Sequence, residues 1–428
     1  MIDQGRIAEL NQPLLADHDR DLADLVARIG RGGRANPGAV VGALADLSVA
    51  APLWALGTGG TRFGRFPVGG EPRTTVEKID DVAALGALTG TTRSISLHVP
   101  WDDPADPEGL REYAAGQGIG FDAMNSNTFQ DNPSTTDDGK VSYKFGSLAN
   151  ADPATRRAAV EHNLSVIDLG VRLGSRALTV WLADGTNHPG QADFRAQFER
   201  VAEGLASIHD HLPEGWRMFT EHKPFEPAFY STVNQDWGSS LLLAQAAGPK
   251  ASCLVDLGHH LPNANIEQVV SRLAMVGRLG GFHFNDSKYG DDDLTTGSIT
   301  PFQLFLIFGE LVAAGGGRVP ELAYMIDQSH NLKDPIEDLI QSTEAILLAY
   351  AQALLVDREA LRAAQDGNDP ALAQELLQAA FRTDARPLAA EARRRNGAAL
   401  APLAAYRAIG YRDARIAERG RSTVATGL

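Results

Sequence analysis

Short apolar runs alternate along the chain with longer stretches in which apolar residues recur at helical spacing. The runs span four or five residues and are bounded by polar turns, which is the pattern of buried strands. Eight such runs occur, within the segments 52–60, 94–101, 118–127 and 175–185, and within four segments that end near Glu221, Asp256, His283 and Asp327. The pattern therefore predicts eight strands separated by helices.

Single strands that alternate with helices predict parallel βα units. Eight units match the α/β class of the (β/α)8 TIM barrel, whose active sites lie at the C-terminal ends of the strands. An open doubly wound sheet is the alternative, but polar residues follow strands all along this chain instead of at one switch point. We expect residues 1–50 to form an N-terminal helical arm, 51–333 the catalytic barrel, and 334–428 a helical extension that mediates oligomerisation.

Side chains that bind metal ions follow the last four predicted strands. Because the ends of successive strands converge in a barrel, we expect these side chains to form one site. The candidate ligands are Glu221, Asp256, His259, His283, Asp291, Asp293 and Asp327. Taken alone, a single Asp at a strand end could instead cap a helix or form a hydrogen bond within a loop. Together, five carboxylates and two imidazoles predict a two-metal site, and this donor set favours manganese, cobalt or magnesium over a thiolate-type zinc site.

Two local patterns refine this ligand set. In the acidic loop GDDD, alternation places Asp291 and Asp293 on one side and turns Asp292 away. In DLGHH, His259 follows the strand end as a ligand, and we expect His260 to support the ligands without binding metal. The alternative for GDDD is a solvated acidic loop.

Aromatic and polar residues at the other strand ends suit a carbohydrate pocket. Such a pocket needs flat apolar faces for C–H groups and polar tips for hydroxyls. His98 and Trp101 end the second strand, Trp181 ends the fourth, Phe66 lies in the first loop, and Lys223 follows Glu221. For each aromatic, core packing is the competing interpretation, and for Lys223 it is a supporting ion pair.

Composition excludes several classes of partner. The formal net charge is −15 and no basic footprint occurs, which argues against a nucleic-acid partner. No apolar run approaches eighteen residues, so no membrane span is expected. The single cysteine, Cys253, excludes an intramolecular disulfide and fits a reducing cytoplasm.

The chain resembles L-rhamnose isomerase of the broad-specificity bacterial type, a family with a xylose isomerase-like TIM barrel. The resemblance runs from about residue 50 to the C-terminal helices. Its motifs are WALGTGGTRFGRFP, SLHVPWD, FDAMNSNTF, EHKPFEPAFYSTVNQDWG, CLVDLGHHLPN, GGFHFNDSKYGDDDL and MIDQSHN.

This resemblance implies two Mn²⁺ ions per subunit, with Co²⁺, Mg²⁺ or Zn²⁺ as alternatives. A structural ion would be bound by Glu221, Asp256, His283 and Asp327. A catalytic ion would be bound by His259, Asp291 and Asp293, with Glu221 shared between the two ions.

The resemblance also implies roles for the remaining candidates. His98, Lys223, Asp327 and Ser329 would be catalytic, while Trp101 and Trp181 would bind sugar. Phe66 would enter a neighbour's pocket in a homotetramer. The implied reaction interconverts L-rhamnose and L-rhamnulose, with activity on other aldoses.

Several alternatives stay open at this stage. The sugar ring would open with help from His98 and Asp327, and hydrogen would then move between C2 and C1 by hydride shift or through an enediol. A metal-dependent TIM-barrel aldolase and a phosphodiesterase that cuts DNA would use similar ligands. A barrel that binds sugar without catalysing a reaction is a further, non-enzymatic hypothesis.

Overall fold

A computed structural model of the chain describes residues 2–32, 35–57, 66–131, 141–225, 231–328 and 332–422. Within these ranges the strands occupy eight positions around a barrel, two of which consist of two short segments each. The strands are β1 (Ala51–Pro52), β2 (Ser94–Ser96 and His98–Val99), β3 (Gly120–Phe121 and Met124–Asn127), β4 (Ala177–Trp181), β5 (Arg217–Glu221), β6 (Ala251–Asp256), β7 (Leu279–Phe284) and β8 (Ala323–Ile326).

Every strand pairs in parallel with its neighbours, from β1 through to β8. The sheet closes because β8 returns to the residue before β1. The amide of Ala50 donates to the carbonyl of Tyr324 at 2.7 Å, and the amide of Ile326 donates to the carbonyl of Ala50 at 3.0 Å. The predicted α/β TIM barrel is thereby confirmed.

The first strand differs from its prediction. It ends at Pro52, and Leu53–Leu56 form a 3-10 helix instead of continuing the strand. Proline has no N–H to donate to a ladder, which favours a strand end there. Residues 58–60 of the predicted strand lie outside the described residues.

Small and apolar side chains fill the lower part of the barrel interior. Ala123, Ala177, Phe219 and Leu254 form a buried cluster there. A Cβ on Gly280 would lie 2.6 Å from the Phe219 ring, so glycine makes room for that ring. Because this layer is apolar and full, the polar cavity begins one layer higher.

A helix follows each strand and covers the barrel from outside. In chain order the helices are Thr75–Thr89, Pro107–Gly116, Pro153–Leu173, Phe194–His211, Trp237–Ala247, Ile266–Met275, Pro301–Ala314 and Pro335–Leu354. Caps explain where several begin: the Asp152 side chain accepts the amides of Ala154 and Thr155, with Pro153 in the first position. Pro335–Leu354 packs against both Pro301–Ala314 and Thr75–Thr89, which makes it the eighth helix of the outer layer.

The remaining helices lie at the two ends of the chain. They are Gln4–Asn11, Leu15–Gly32 and Pro37–Asp46 at the N-terminus, and Arg358–Asp366, Pro370–Phe381, Arg386–Arg395, Pro402–Ile409 and Tyr411–Arg419 at the C-terminus. Arg386–Arg395 packs against Pro37–Asp46, so the two ends of the chain cover one flank together. The division into arm, barrel and oligomerising extension stays a prediction.

The last helix contacts the segments that follow β1 and β8, the two strands between which the barrel closes; we call this junction the barrel seam. Arg412 donates from Nε and Nη2 to Asp334, beyond β8, at 2.7 and 2.9 Å. Arg412 and Arg419 also donate to the carbonyl of Gly70, beyond β1, at 3.1 and 3.2 Å. A Cβ on Gly70 would lie 2.6 Å from the amide of Ile416, so only glycine allows this approach. Arg419 completes the contact with the buried Asp81 at 2.9 Å.

In the part of the chain that the structure describes, no single helix has both the length and the apolar composition to cross a membrane. Pro335–Leu354 and Arg358–Asp366 meet that requirement only as a pair, bent by 65° at their junction.

Candidate active site

A cavity of about 260 Å³ opens at the C-terminal ends of the barrel strands. It has two unlike sides. Side chains from β5 to β8 and their following loops form what we call the acidic half, and side chains from β1 to β4 and their following loops form the neutral half. Both sides are built by the same rule, because alternate residues of each strand face the interior.

The first cluster of the acidic half surrounds His283. Its Nδ1 lies 3.1 Å from Oε1 of Glu221, 3.5 Å from Oδ2 of Asp327 and 3.6 Å from Oδ2 of Asp256. These four residues have ligand atoms within 4.8 Å of one another, as one metal ion requires. They come from the ends of four neighbouring strands, as the sequence predicted.

A second cluster surrounds His259. Its Nε2 lies 3.4 Å from Oδ2 of Asp291 and 4.0 Å from Oδ2 of Asp256. Its Nδ1 lies 3.2 Å from Oε1 of Glu221. Asp256 therefore belongs to both clusters, and Glu221 lies within reach of both imidazoles. Lys223 forms an ion pair with Asp291.

Asp293 lines the same cavity but belongs to neither cluster among the described residues. Its backbone has a left-handed φ of 47°, which turns it out of the line of its neighbours. Asp292 lies on the other side of the loop and accepts the amides of Lys288 and Tyr289 at 2.8 Å each.

The charges of the acidic half depend on one another. Burial acts to lower the pKa of His283 and of His259, but the surrounding carboxylates hold both pKa values well above the usual range. Burial acts to raise the pKa of Glu221, but these imidazoles hold it below its usual value. Burial raises the pKa of Asp327 to about 7, against the opposing effect of His283. So many buried acids need cations beside them.

The donor set fits divalent metal ions. Oδ2 of Asp256 is fully buried and accepts no hydrogen bond from the described residues, although it faces both clusters. Oδ1 of the same carboxylate is held by the amide of Gly258 at 2.8 Å and by Nδ2 of Asn285 at 2.9 Å. One oxygen is thus fixed by the protein while the other is directed at the ligand groups, which is how supported metal ligands are arranged.

Two supporting residues were not predicted. Asn285 also donates to the carbonyl of Asp327 at 2.9 Å, so one amide orients two ligands. Trp54 donates from Nε1 to Oδ1 of Asp327 at 2.6 Å, across the barrel seam. Asn285 stands two residues after the ligand His283, and this spacing is the signal that could have revealed it.

Uncharged side chains build the neutral half. His98, Asn125, Asn127, Thr179 and Trp181 line it, together with Trp54. Burial lowers the pKa of His98 to about 4, so this imidazole is neutral at physiological pH, whereas the pKa values of His259 and His283 are raised.

A buried ion pair fixes the turn that follows His98. The amide of His98 donates to Oδ2 of Asp102 at 3.0 Å. Asp102 is in turn paired with the buried Lys78 at 2.6 Å.

The predicted aromatic residues lie at different distances from the cavity. Trp181 lines it. Trp101 does not, because Phe129 stands between, stacked on Trp101 at 5.8 Å and edge-on to Trp181 at 4.7 Å. Phe66 is 71% exposed and lies outside the cavity of its own chain. Phe129 was not predicted, although it ends the motif FDAMNSNTF.

The other predicted residues complete the picture. Ser329 lies outside the described residues. His260 packs edge-on against His222, with ring centroids 4.8 Å apart, and belongs to neither ligand cluster.

No family model matches the chain. Two curated relatives match it over nearly the full length of both proteins. A probable sugar isomerase of Mesorhizobium japonicum is 54% identical over 413 residues, which cover 96% of this chain and 95% of the relative. A probable sugar isomerase of Rhizobium meliloti is 54% identical over 404 residues, covering 94% and 92%. A solved structure of L-ribulose 3-epimerase superposes with a TM-score of 0.54 and 18% identity over 74% of this chain and 98% of that chain, which shows a shared fold.

Proposed function

The chain belongs to the sugar isomerase family, and we propose that it is a metal-dependent aldose–ketose isomerase that interconverts L-rhamnose and L-rhamnulose and accepts other aldoses. The observation that supports this proposal most directly is the pair of ligand clusters that share Asp256 on one side of the cavity. Family membership favours isomerisation over the aldolase and phosphodiesterase alternatives.

The acidic half would hold two divalent ions, which we propose to be Mn²⁺. Glu221, Asp256, His283 and Asp327 would bind one ion, and Asp256, His259 and Asp291 the other. Bound there, the ions would supply Lewis acidity to oxygens on the first two carbons of the sugar. Asp293 stays a predicted ligand of the second ion, and it already lines the cavity.

His98 is suited to accept a proton. Opening a cyclic sugar requires removal of the proton from the anomeric hydroxyl and delivery of a proton to the ring oxygen. The imidazole of His98 is neutral at physiological pH because burial lowers its pKa to about 4. A neutral imidazole that lines the cavity is able to take the hydroxyl proton at Nδ1, which has no hydrogen-bond partner among the described residues.

Lys223 brings a positive charge to the boundary between the halves. Its ammonium pairs with Asp291 and lies 5.1 Å from the centroid of the Trp181 ring. A cation in this position would stabilise negative charge that develops on a sugar oxygen. The predicted catalytic role of Ser329 stays a prediction.

Metal dependence is the first test. Protein stripped with a chelator should not turn over L-rhamnose, and adding Mn²⁺ should restore L-rhamnulose formation. Asp291→Asn should lower kcat by about 1,000-fold, because it removes a charged ligand worth several kcal/mol. The matched control is Asp292→Asn, since Asp292 is the next residue and, among the described residues, its side chain accepts the amides of Lys288 and Tyr289.

Two outcomes would refute the proposal. One is full turnover after complete metal removal, and the other is equal activity of the two variants. If the enzyme is active, retention of deuterium from C2-labelled substrate would distinguish a hydride shift from an enediol route, in which hydrogen exchanges with solvent.

We also propose a cytoplasmic homotetramer in which Phe66 meets a neighbouring subunit. The 71% exposure of this aromatic side chain supports the idea, because large exposed aromatics are frequent at interfaces. Light scattering on Phe66→Ser should then show a smaller assembly, or an unchanged one with altered KM. A wild-type monomer would contradict the proposal.

A further inference from the structure

A hydroxyl on the floor of the neutral half has no hydrogen-bond partner among the described residues. Thr179 lines the cavity and is only 1% exposed. Its Oγ1 is buried and makes no hydrogen bond to any described residue. Buried hydroxyls almost always find a partner, because leaving one unpaired costs free energy. An unpaired hydroxyl that lines a ligand cavity indicates a partner that is not part of the chain.

The strand fixes the direction of this side chain. Along β4, Ala177, Thr179 and Trp181 alternate with the buried Leu178 and Val180, so Thr179 faces the barrel interior. The apolar Ala177 lies below it in the filled layer, and Trp181 lies above it at the cavity wall. Thr179 is therefore the deepest polar residue that β4 contributes to the cavity.

The neighbours of Thr179 across the sheet do not satisfy it. In register it faces Asn125 on β3 and Phe219 on β5. The Asn125 amide is turned to Ser96, to which Nδ2 donates at 2.6 Å, and Phe219 offers only an apolar ring.

Comparable hydroxyls nearby are paired within the protein. Ser96 donates to the carbonyl of Ala123 at 2.6 Å, and Ser126 to Oδ1 of Asn163 at 2.5 Å. Thr179 therefore differs from these two neighbouring hydroxyls.

We propose that Thr179 is a specificity-determining residue that binds one hydroxyl of the sugar, on a carbon remote from the two that react. The inference rests on the proposed function: once the ring is open, the acidic half would hold the oxygens of C1 and C2, and the remaining hydroxyls would lie in the neutral half. A threonine hydroxyl both donates and accepts, which matches a sugar hydroxyl and gives no advantage to a charged group. Sites built to bind a hydroxyl discriminate against analogues that lack it.

The test is a double-mutant cycle in which the Thr179 hydroxyl and each sugar hydroxyl are removed singly and together. Thr179→Val keeps the shape of the side chain and removes only its hydroxyl, whereas Thr179→Ser keeps the hydroxyl. kcat/KM is measured for L-rhamnose, for its derivatives that lack the hydroxyl at C3, C4 or C5, and for L-mannose, which adds one at C6.

Thr179→Val should lower kcat/KM by about tenfold for every sugar that carries one particular hydroxyl, and should change it little for sugars that lack it. Thr179→Ser should retain most of the activity. Both variants should bind Mn²⁺ with wild-type affinity, measured by electron paramagnetic resonance, since Thr179 belongs to neither ligand cluster.

Two results overturn the assignment. In the first, the loss is the same for all the sugars, as a purely structural role would give. In the second, no loss occurs. If the wild-type protein loaded with Mn²⁺ converts none of the aldoses, the proposed function itself has failed. If the wild type is active and Thr179→Val has an unchanged profile, only the role of Thr179 has failed.

Discussion

The two halves of the cavity use the same strand geometry to opposite electrostatic effect. The acidic half places buried carboxylates around two imidazoles whose pKa values are held well above the usual range. In the neutral half, burial outweighs the nearby Asp102 carboxylate and lowers the pKa of His98 to about 4. Imidazoles at comparable depth therefore have pKa values shifted in opposite directions on the two sides of the cavity. The carboxylates that surround each imidazole, and not burial alone, determine whether its pKa is raised or lowered.

This division assigns different work to the two sides. The acidic half can hold cations and the reacting carbons, while the neutral half can hold a hydroxylated chain without competing for the metal. Separate variants should therefore change metal binding and sugar handling independently.

The largest effect is expected from Asp256→Asn, which removes the carboxylate common to both clusters. Asparagine keeps the oxygen that Gly258 and Asn285 hold, so the fold should persist. Turnover should fall by more than about 1,000-fold, and Mn²⁺ titration should show loss of both high-affinity sites. Retention of two tight sites would break the comparison.

A smaller effect is expected in the neutral half. His98→Gln should lower kcat by about 100-fold, because a general base is lost. Its Mn²⁺ stoichiometry should equal that of the wild type. The loss should shrink for aldoses that exist more in the open-chain form. A drop in Mn²⁺ affinity as large as that of Asp256→Asn would show that the halves are not independent.

The smallest effect concerns Trp54, which crosses from one half to the other. Trp54→Phe keeps an aromatic ring but removes the hydrogen bond to Oδ1 of Asp327. Affinity for one of the two ions should fall by about tenfold, as for other residues that orient metal ligands. Calorimetric titration should then resolve two unequal sites. Equal weakening of both sites would contradict the assignment of Asp327 to a single cluster.

Much of the acidic half was predictable because it depends on local sequence. A buried strand that ends in Glu221 or Asp256 places that residue at the barrel rim whatever the rest of the chain does. The order of strands around the barrel then brings the ligands together. The alternation in GDDD also separates Asp291 from Asp292, as the loop geometry has it.

Other parts depend on contacts that no local pattern records. Phe129 reaches the cavity and Trp101 does not, although both follow strand ends, because their loops pack one ring behind the other. Trp54 was placed in a strand, yet it lies in a 3-10 turn that brings it to Asp327. Which carboxylate is shared by the two clusters depends on differences of a fraction of an ångström, and periodicity does not encode these.

The seam at which the last helix ties the segments beyond β1 and β8 together sets the order in which the protein can be completed during synthesis. Trp54 and its partner Asp327 are 273 residues apart in the sequence, and Asp81 and its partner Arg419 are 338 residues apart. Asp81 must therefore wait for Arg419 to be synthesised. At a ribosomal rate of roughly 5–20 residues per second, that wait lasts roughly 15–70 seconds. For most of that time, until β8 has been made, the open edge of β1 stays unpaired, and such edges invite association with other chains. The nascent enzyme is therefore most exposed to misassembly before its final helix emerges, which makes the end of the chain the point at which folding is secured.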